Sequence, residues 1–406
     1  MDLKDKKIVL GLTGGVACYK AAELCRALVK QGAKVQVVMS EAATHFIGTV
    51  TMQALSGQPV FTDQWDARMA NNMAHIDLTR DADAILVAPC SADFMRKLAH
   101  GAADDLLSTL CVARPRRVPL HVAPAMNVEM WENPATQRNV KQLIEDGICL
   151  FGPAAGSQAC GETGLGRMLE ADELVEELVA SFQHKVLAGR RVLITAGPTF
   201  EPIDPVRGIT NLSSGKMGYA VARAAREAGA DVTLVSGPTA LPTPHGVRRI
   251  DVLTAQQMHD VVMAGIEGQH VFIGVAAVAD WRVANASDQK IKKAEGGGAP
   301  QLEFVQNADI LATVAATTTL SGWPYCLGFA AESENLMAYG AAKREKKGIP
   351  LLVGNIGQQT FGQDENTIIL FDETGHTVLP RADKLTLARQ LVSEIAKRLE
   401  RRSLLT

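Results

Sequence analysis

The stretch from Thr195 to Gly218 is dense in side chains able to bind or polarise an anion. Glu201, Asp204, Arg207 and Asn211 are interleaved with Pro198, Pro202 and Pro205, which stiffen the backbone between them. Ser213-Ser214-Gly215-Lys216 follows and suits the cap of a helix whose first amides face outward. A phosphate is the natural guest there, because unpaired N–H groups and the helix dipole both favour negative charge.

Other groups with chemical capacity are spread along the chain. Thr13-Gly14-Gly15 separates an apolar run from an amphipathic one, where small residues let amides approach a phosphate, although a plain tight turn has the same composition. The spacing is not Gly-x-Gly-x-x-Gly, which favours a flavin mononucleotide over a nicotinamide dinucleotide. Ser40 ends the next apolar run and offers a hydroxyl. His75 lies in a polar stretch and can exchange a proton near neutral pH, or simply sit on the surface. Asn127 in Pro124-Ala-Met-Asn127 projects at the carboxyl edge of a sheet or caps a helix. Cys160 belongs to the glycine-rich run Gly156 to Met168, an exposed or lid-like loop where a thiol can give or take a proton; an incidental free cysteine is the alternative. Asp280, after Gly274 to Ala279, suits a ribose hydroxyl or a helix cap. Lys290, Lys292, Lys293, Lys343 and Lys347 can neutralise a triphosphate or solvate a surface.

The elements that must position these residues repeat. Lys7-Ile-Val-Leu-Gly-Leu, a helix with Ala17, Ala21, Leu24, Cys25 and Leu28 on one face, and Lys34 to Ser40 form one strand-helix-strand unit. Arg191-Val-Leu-Ile-Thr-Ala, a helix with Met217, Ala220, Val221, Ala224, Ala225 and Ala228 inward, and Asp231 to Ser236 form another. Two such openings half a chain apart predict two α/β domains, each a doubly wound parallel sheet. Ala171 to Phe182 reads as a helix and Gln183 to Gly189 as a connection, giving domains 1–188 and 189–406. Further strands are expected at Ala84 to Ala88, Val118 to Ala123, His270 to Val275, Tyr325 to Phe329 and Leu351 to Gly354. A hairpin at Asn366 to Phe371 and Thr377 to Leu379 precedes a helix bearing Leu385, Ala388, Val392, Ile395 and Leu399. Gln289 to Pro300, basic and glycine-rich, reads as a flap.

A chain of 406 residues accommodates two cores. Its net charge of -3 provides no field for nucleic acid or an anionic membrane, so small molecules and other subunits are the expected partners. Seven widely spaced cysteines without Cys-x-x-Cys point to reduced thiols in a cytoplasm. Lys4 to Tyr19 mimics a leader ending at Ala17-Cys18, but Gly11, Gly14 and Gly15 interrupt it, and no apolar run is long enough to span a bilayer.

These motifs together resemble the bifunctional bacterial enzymes of coenzyme A biosynthesis that join phosphopantothenate to cysteine and then decarboxylate the product. The N-terminal half is similar to homo-oligomeric flavin-containing cysteine decarboxylases through Thr13-Gly14-Gly15, His75, Pro124 to Asn127 and the Cys160 loop. The C-terminal half resembles phosphopantothenate-cysteine ligases through Glu201 to Arg207, Asn211 to Gly218, Ala276 to Asp280 and Lys290 to Lys293. The resemblance implies a flavoprotein-like fold binding FMN and a Rossmann-like fold using CTP with Mg²⁺. It further implies trimer-based flavin domains, dimeric ligase domains, and 4'-phosphopantothenate and L-cysteine as substrates.

By the same resemblance Thr13, Gly14, Gly15, Ser40 and Ser91 bind the cofactor. His75 acts as acid/base or carboxylate orienter, Asn127 as a ligand of the substrate carboxylate and Cys160 as the proton donor of the reductive step. Asn211 holds phosphopantothenate or its acyl-cytidylate, and Lys290 with the metal steadies the charge of that activation. Gly274, Val275, Ala276, Asp280, Lys290, Asn307, Ala308, Asp309, Ile310, Phe329, Lys343 and Lys347 match nucleotide-binding positions; no metal ligands are assigned. An acylated cysteine has no electron sink of its own, and a flavin supplies one by oxidising the thiol and later returning the electrons. The chain departs from the family pattern at Pro89-Cys-Ser-Ala-Asp-Phe94, at Gly354-Asn355-Ile356 and at Phe200. A nicotinamide-dependent oxidoreductase would share the fold but carry the strict glycine fingerprint, and a regulatory relative of the flavin half would lack the ligase motifs.

Overall fold

The computed structural model describes residues 1–66, 68, 73–292, 301–332, 336–356 and 363–403. The chain forms two compact units, Met1–Ser181 and Phe182–Thr406. The connecting residues are fastened to the second: Leu187 N–H donates to Ala228 O and Lys185 Nζ to Glu227 O, both within 2.9 Å.

In the first unit, β1 (Lys7–Leu12), β2 (Lys34–Met39), β3 (Ala84–Cys90), β4 (Leu120–Pro124) and β5 (Cys149–Leu150) pair in parallel in the order β2-β1-β3-β4-β5. Every residue of β3 is buried, as a parallel strand covered on both faces requires. Helix Cys18–Lys30 turns Ala21, Leu24, Cys25 and Leu28 inward, with Ala17 as its cap rather than part of the stripe. Each such apolar side chain contributes about 1.5–3 kcal/mol on burial. His121 on β4 is enclosed, its ring stacked on Phe151 at 4.7 Å and both nitrogens without a hydrogen-bond partner among the described residues. Burial pulls its pKa down to about 4.

A separate antiparallel hairpin, β6 (Ala154–Ser157) and β7 (Thr163–Arg167), carries the Cys160 loop. It lies against the turn after β4, where Met126 N–H donates to Gly166 O at 2.9 Å. A Cβ on Gly166 would fall 2.4 Å from Met126 O, so only glycine permits this approach.

The second unit contains β8 (Arg191–Ala196), β9 (Phe200–Pro202), β10 (Gly208–Thr210), β11 (Asp231–Ser236), β12 (Arg248–Asp251), β13 (Val271–Gly274), β14 (Trp281–Val283), β15 (Phe304–Gln306), β16 (Tyr325–Glu332), β17 (Leu351–Ile356), β18 (Glu365–Asp372) and β19 (Gly375–Asp383). Its main sheet runs β12-β11-β8-β13-β16-β17-β18-β19, parallel up to β17 and antiparallel beyond. In order of appearance the parallel strands stand 3-2-1-4-5-6, with the switch of direction between β8 and β13. The expected hairpin is longer than its apolar core and extends this sheet.

Helix Lys216–Glu227 buries Val221, Ala224 and Ala225 as expected, and Tyr219 and Ala222 as well, because it shares one apolar cluster with the helix Lys384–Ser403. Between them Glu227 is 2 % exposed and is gripped by Arg389 through bonds of 2.7 and 3.0 Å and by Arg223 at 2.9 Å. Among the described residues no helix is long and apolar enough to cross a membrane.

Candidate functional site

The sheet order of the first unit places the carboxyl ends of β1 and β3 at a switch point. Thr13 closes β1 there, but its side chain does not face outward: Oγ1 donates to Pro89 O at 2.8 Å and accepts from Ser91 N–H at 2.9 Å. It ties the two strand ends together. Ser91 and Ser40 are the caps of helices Ala92–Ala99 and Glu41–Thr44, accepting from Phe94 N–H at 3.2 Å and Ala43 N–H at 3.3 Å. Gly14 is required by packing, since a Cβ would lie 2.6 Å from Ala42 Cβ, whereas a Cβ on Gly15 would meet nothing within 4 Å. Gly15 thus follows the end of β1 with room beside it, and the caps Ser40 and Ser91 follow β2 and β3, the strand ends on which a switch point places a ligand.

Asn127 caps the short helix Val128–Glu132, its Oδ1 accepting from Met130 N–H at 2.9 Å. Its Nδ2 donates to Glu162 Oε2 at 3.3 Å, and the Cys160 thiol donates to the same oxygen at 3.5 Å. Gln158 anchors the loop, accepting from Val128 N–H at 2.9 Å and donating to Leu165 O at 3.1 Å. The structure therefore brings Asn127 and Cys160 together through Glu162, which was missing from the expected set. His75 stands half-buried in the first turn of helix Ala74–Arg80, and no hydrogen bond of its ring joins it to this group among the described residues.

In the second unit the segments leaving β8 and β13 are laced together. Val275 and Ala277 N–H donate to Thr195 O and Gly197 O at 3.1 and 3.0 Å, and Ala279 N–H to Thr199 Oγ1 at 3.0 Å. Two cavities open beside this lacing. One, of about 240 Å³, is lined by Gly274, Ala276, Asp280, Asn307 to Ile310, Phe329, Lys343 and Lys347. The other, of about 410 Å³, is lined by Asn211, Ser213 to Gly218, Val275, Asn366 and Lys384, and shares Ala276, Val278, Phe329 and Lys343 with the first. Val275 lines the second cavity, and Gly274 the first.

Several expected ligands are spent on architecture. Asn307 donates to Ala279 O at 2.8 Å and accepts from Arg282 at 3.1 Å, shaping the turn that presents Asp280. Asp309 caps helix Ile310–Ser321 and pairs with Lys347, so Lys347 is not an unneutralised cation. Glu201, 1 % exposed, accepts from Ala255 N–H at 2.9 Å. Asp204 is equally buried and accepts from Val206, Arg207 and Ile291 N–H; the Arg207 guanidinium holds its carboxyl well below the usual range. Arg207 also donates to Ile291 O at 3.0 Å. This pair grips the residue next to Lys290, which is exposed and lines neither cavity. Lys293 and the rest of the expected flap to Pro300 lie outside the described residues, as do Asn71 and Asn72 before His75.

Helix Lys216–Glu227 begins at Gly215 in a left-handed conformation, φ 77°, rather than at a serine side-chain cap. Its start, Gly215 to Gly218, lines the second cavity, and Lys216 pairs there with Asp364 at 2.6 Å. Lys384, 8 % exposed, is held below the usual lysine range by burial and then by the charge of Lys216. Lys384 and Asn366 carry no local sequence signal; only the fold brings them to a loop far upstream.

Family models match both halves: a Flavoprotein model over residues 1–183 and a DNA/pantothenate metabolism flavoprotein C-terminal domain model over 187–399. The coenzyme A biosynthesis bifunctional protein CoaBC of Vibrio cholerae is 48% identical over 390 residues, 95% of this chain and 97% of its own. Its Escherichia coli K12 counterpart is 46% identical over 408 residues, 99% of this chain and 100% of its own. A solved PPC decarboxylase mutant complexed with pantothenoylaminoethenethiol is 33% identical over 44% of this chain and 98% of its own, with a TM-score of 0.41.

Proposed function

Because the chain belongs to the family of coenzyme A biosynthesis bifunctional proteins, we propose that its flavin is FMN at the β1/β3 switch point and its nucleotide CTP at the β8/β13 switch point. It is a phosphopantothenate-cysteine ligase joined to a phosphopantothenoylcysteine decarboxylase. The observation that carries the nucleotide assignment is the pair of adjoining cavities. One gathers the residues expected around the base and ribose; the other is lined by the helix start Gly215 to Gly218 with Lys216 and Lys384, a setting that suits an anion.

In the ligase half the phosphopantothenate carboxylate lies where the cavities meet, near Asn211, whose Nδ2 donates to Ala277 O at 2.8 Å. Lys343, common to both cavities, and Lys290 steady the charge that builds while the acyl-cytidylate forms and pyrophosphate leaves. The cysteine amine then attacks the acyl carbon and CMP departs. Mg²⁺ would be carried chiefly by the phosphates of the nucleotide and would supply charge neutralisation there, as this ion commonly does.

In the decarboxylase half, bound FMN supplies the electron sink that cysteine lacks. Asn127 orients the substrate carboxylate through its amide, His75 exchanges a proton, and Cys160 delivers one to carbon as the product is reduced. The seven free thiols fit a reducing cytoplasm, and association into trimers of flavin halves and dimers of ligase halves accompanies this reading.

The test is mass spectrometry of purified protein given phosphopantothenate, cysteine, Mg²⁺ and either CTP or ATP. Phosphopantetheine formed faster with CTP is the expected result. Faster formation with ATP overturns the nucleotide assignment, and phosphopantothenoylcysteine that accumulates on flavin-loaded protein overturns the decarboxylase residues.

A further inference from the structure

Two donors that the decarboxylation assigns to its substrate, the amide of Asn127 and the thiol of Cys160, are both directed in this structure at one side chain. Asn127 Nδ2 lies 3.3 Å and Cys160 Sγ 3.5 Å from the same oxygen, Oε2 of Glu162. Asn127 has no freedom to point its amide elsewhere at no cost, because its Oδ1 is held by Met130 N–H. The loop is likewise set: Gln158 N–H donates to Glu162 O at 2.8 Å, and Gly161 N–H to Gln158 O at 2.9 Å. We propose that Glu162 is a positioning residue whose carboxylate stands in for the carboxylate of the substrate, holding Asn127 and Cys160 converged until the substrate replaces it.

The chemistry follows from charge. A carboxylate is what an amide N–H and a thiol S–H together select, and the reaction is loss of a carboxylate next to a sulfur-bearing carbon. While Glu162 occupies that point, the amide of Asn127 and the thiol of Cys160 are both engaged by its carboxylate. An arriving substrate carboxylate is repelled by Glu162 and attracted by the same two donors, so exchange of one carboxylate for the other opens the site without moving its walls. Glu162 is exposed, so its side chain can swing into solvent without leaving a buried charge behind.

This inference rests on the assignment of Asn127 and Cys160 to the decarboxylase, and the experiment separates the two. In Glu162→Gln the side chain keeps its shape and loses its charge. Alkylation of the full chain by iodoacetamide at neutral pH, followed by peptide mass spectrometry, reads Cys160 against Cys149, the other exposed thiol. Cys160, released from its hydrogen bond to a carboxylate, is expected to react roughly three- to tenfold faster in the variant while Cys149 is unchanged. In steady-state decarboxylation, KM for phosphopantothenoylcysteine is expected to fall roughly fivefold with kcat changing less, whereas loss of a merely structural contact raises KM and lowers kcat together. Unchanged Cys160 alkylation, or a raised KM, overturns the stand-in role. Should Cys160→Ala decarboxylate normally while the Glu162→Gln alkylation shift is present, the decarboxylase assignment fails and the contact itself stands. Bound-flavin absorbance and thermal melting of the same preparations report that the flavin half of both variants is folded.

Discussion

The two halves use the same device, a switch point beside the first strand of a parallel sheet, and furnish it in opposite ways. In the flavin half Ser40, Ser91 and Asn127 are all helix caps, and the hydroxyl of Thr13 is enclosed between two strand ends. What remains there to meet a ligand is amides, glycine backbone, a thiol and the single carboxylate of Glu162 that Asn127 and Cys160 share. In the ligase half Lys343 and Lys384 line the cavities with their own charge, beside Lys216 and its partner Asp364. The contrast matches the tasks. Holding a flavin needs shape and amides, whereas activating a carboxylate at a triphosphate needs charge aimed at developing charge.

The sharpest way to break this comparison is to disable each half alone. Cys160→Ala is expected to stop phosphopantetheine formation by a factor of about 10²–10³ or more while phosphopantothenoylcysteine accumulates at the normal rate. Lys290→Ala is expected to slow ligation by a similar factor while added phosphopantothenoylcysteine is still decarboxylated. Product analysis by mass spectrometry checks both, and equal loss of the two activities from either variant would contradict a division of labour.

A smaller, thermodynamic difference comes from His121. Its folded pKa, about 4, lies below the ordinary 6.5, so above pH 6.5 the ring is neutral whether folded or not and its contribution is fully present. Between those values only the unfolded chain takes up the proton, and the flavin half loses up to about 3 kcal/mol as the pH falls. Unfolding followed by flavin release at pH 7.5 and pH 5 should show this loss, and His121→Phe should flatten it.

Smaller still is the effect at the glycine turn. Gly14→Ala forces a methyl against Ala42 and is expected to cost about 1–3 kcal/mol and part of the bound flavin. Gly15→Ala meets no protein atom and should leave the melting temperature of the flavin-free protein unchanged while displacing flavin. Flavin absorbance and thermal melting together distinguish these; a destabilised Gly15→Ala would remove the space assigned to the cofactor.

Strands and crossover helices were legible because parallel sheets demand long apolar runs and helices demand a stripe. Lys7–Leu12, Arg191–Ala196 and the stripe at Val221, Ala224 and Ala225 stand where those patterns put them. What composition does not reveal is which way a polar side chain turns. Glu201 and Asp204 read as loop decoration, yet both are buried and bind backbone amides, because a stiff loop packed on a sheet must satisfy its own N–H groups. Glu162 was passed over since its meaning lies in Asn127, thirty-five positions away along the chain and 3.3 Å away in space. Lys384 has the same character: an ordinary helix-starting lysine until the sheet order brings it to the loop after β10.

The grip of Arg389 on Glu227 also sets a schedule. The helix whose first turn lines the second cavity is roofed by a segment synthesised 162 residues later. At ribosomal speeds that interval is roughly ten to thirty seconds. Through it the nascent ligase half holds an alanine-rich face and a carboxylate with no cover, while the flavin half has every strand of its sheet already outside the tunnel. The first helix of the flavin half waits almost as long for its own partner, since buried Lys20 meets Glu170 only 150 residues after it.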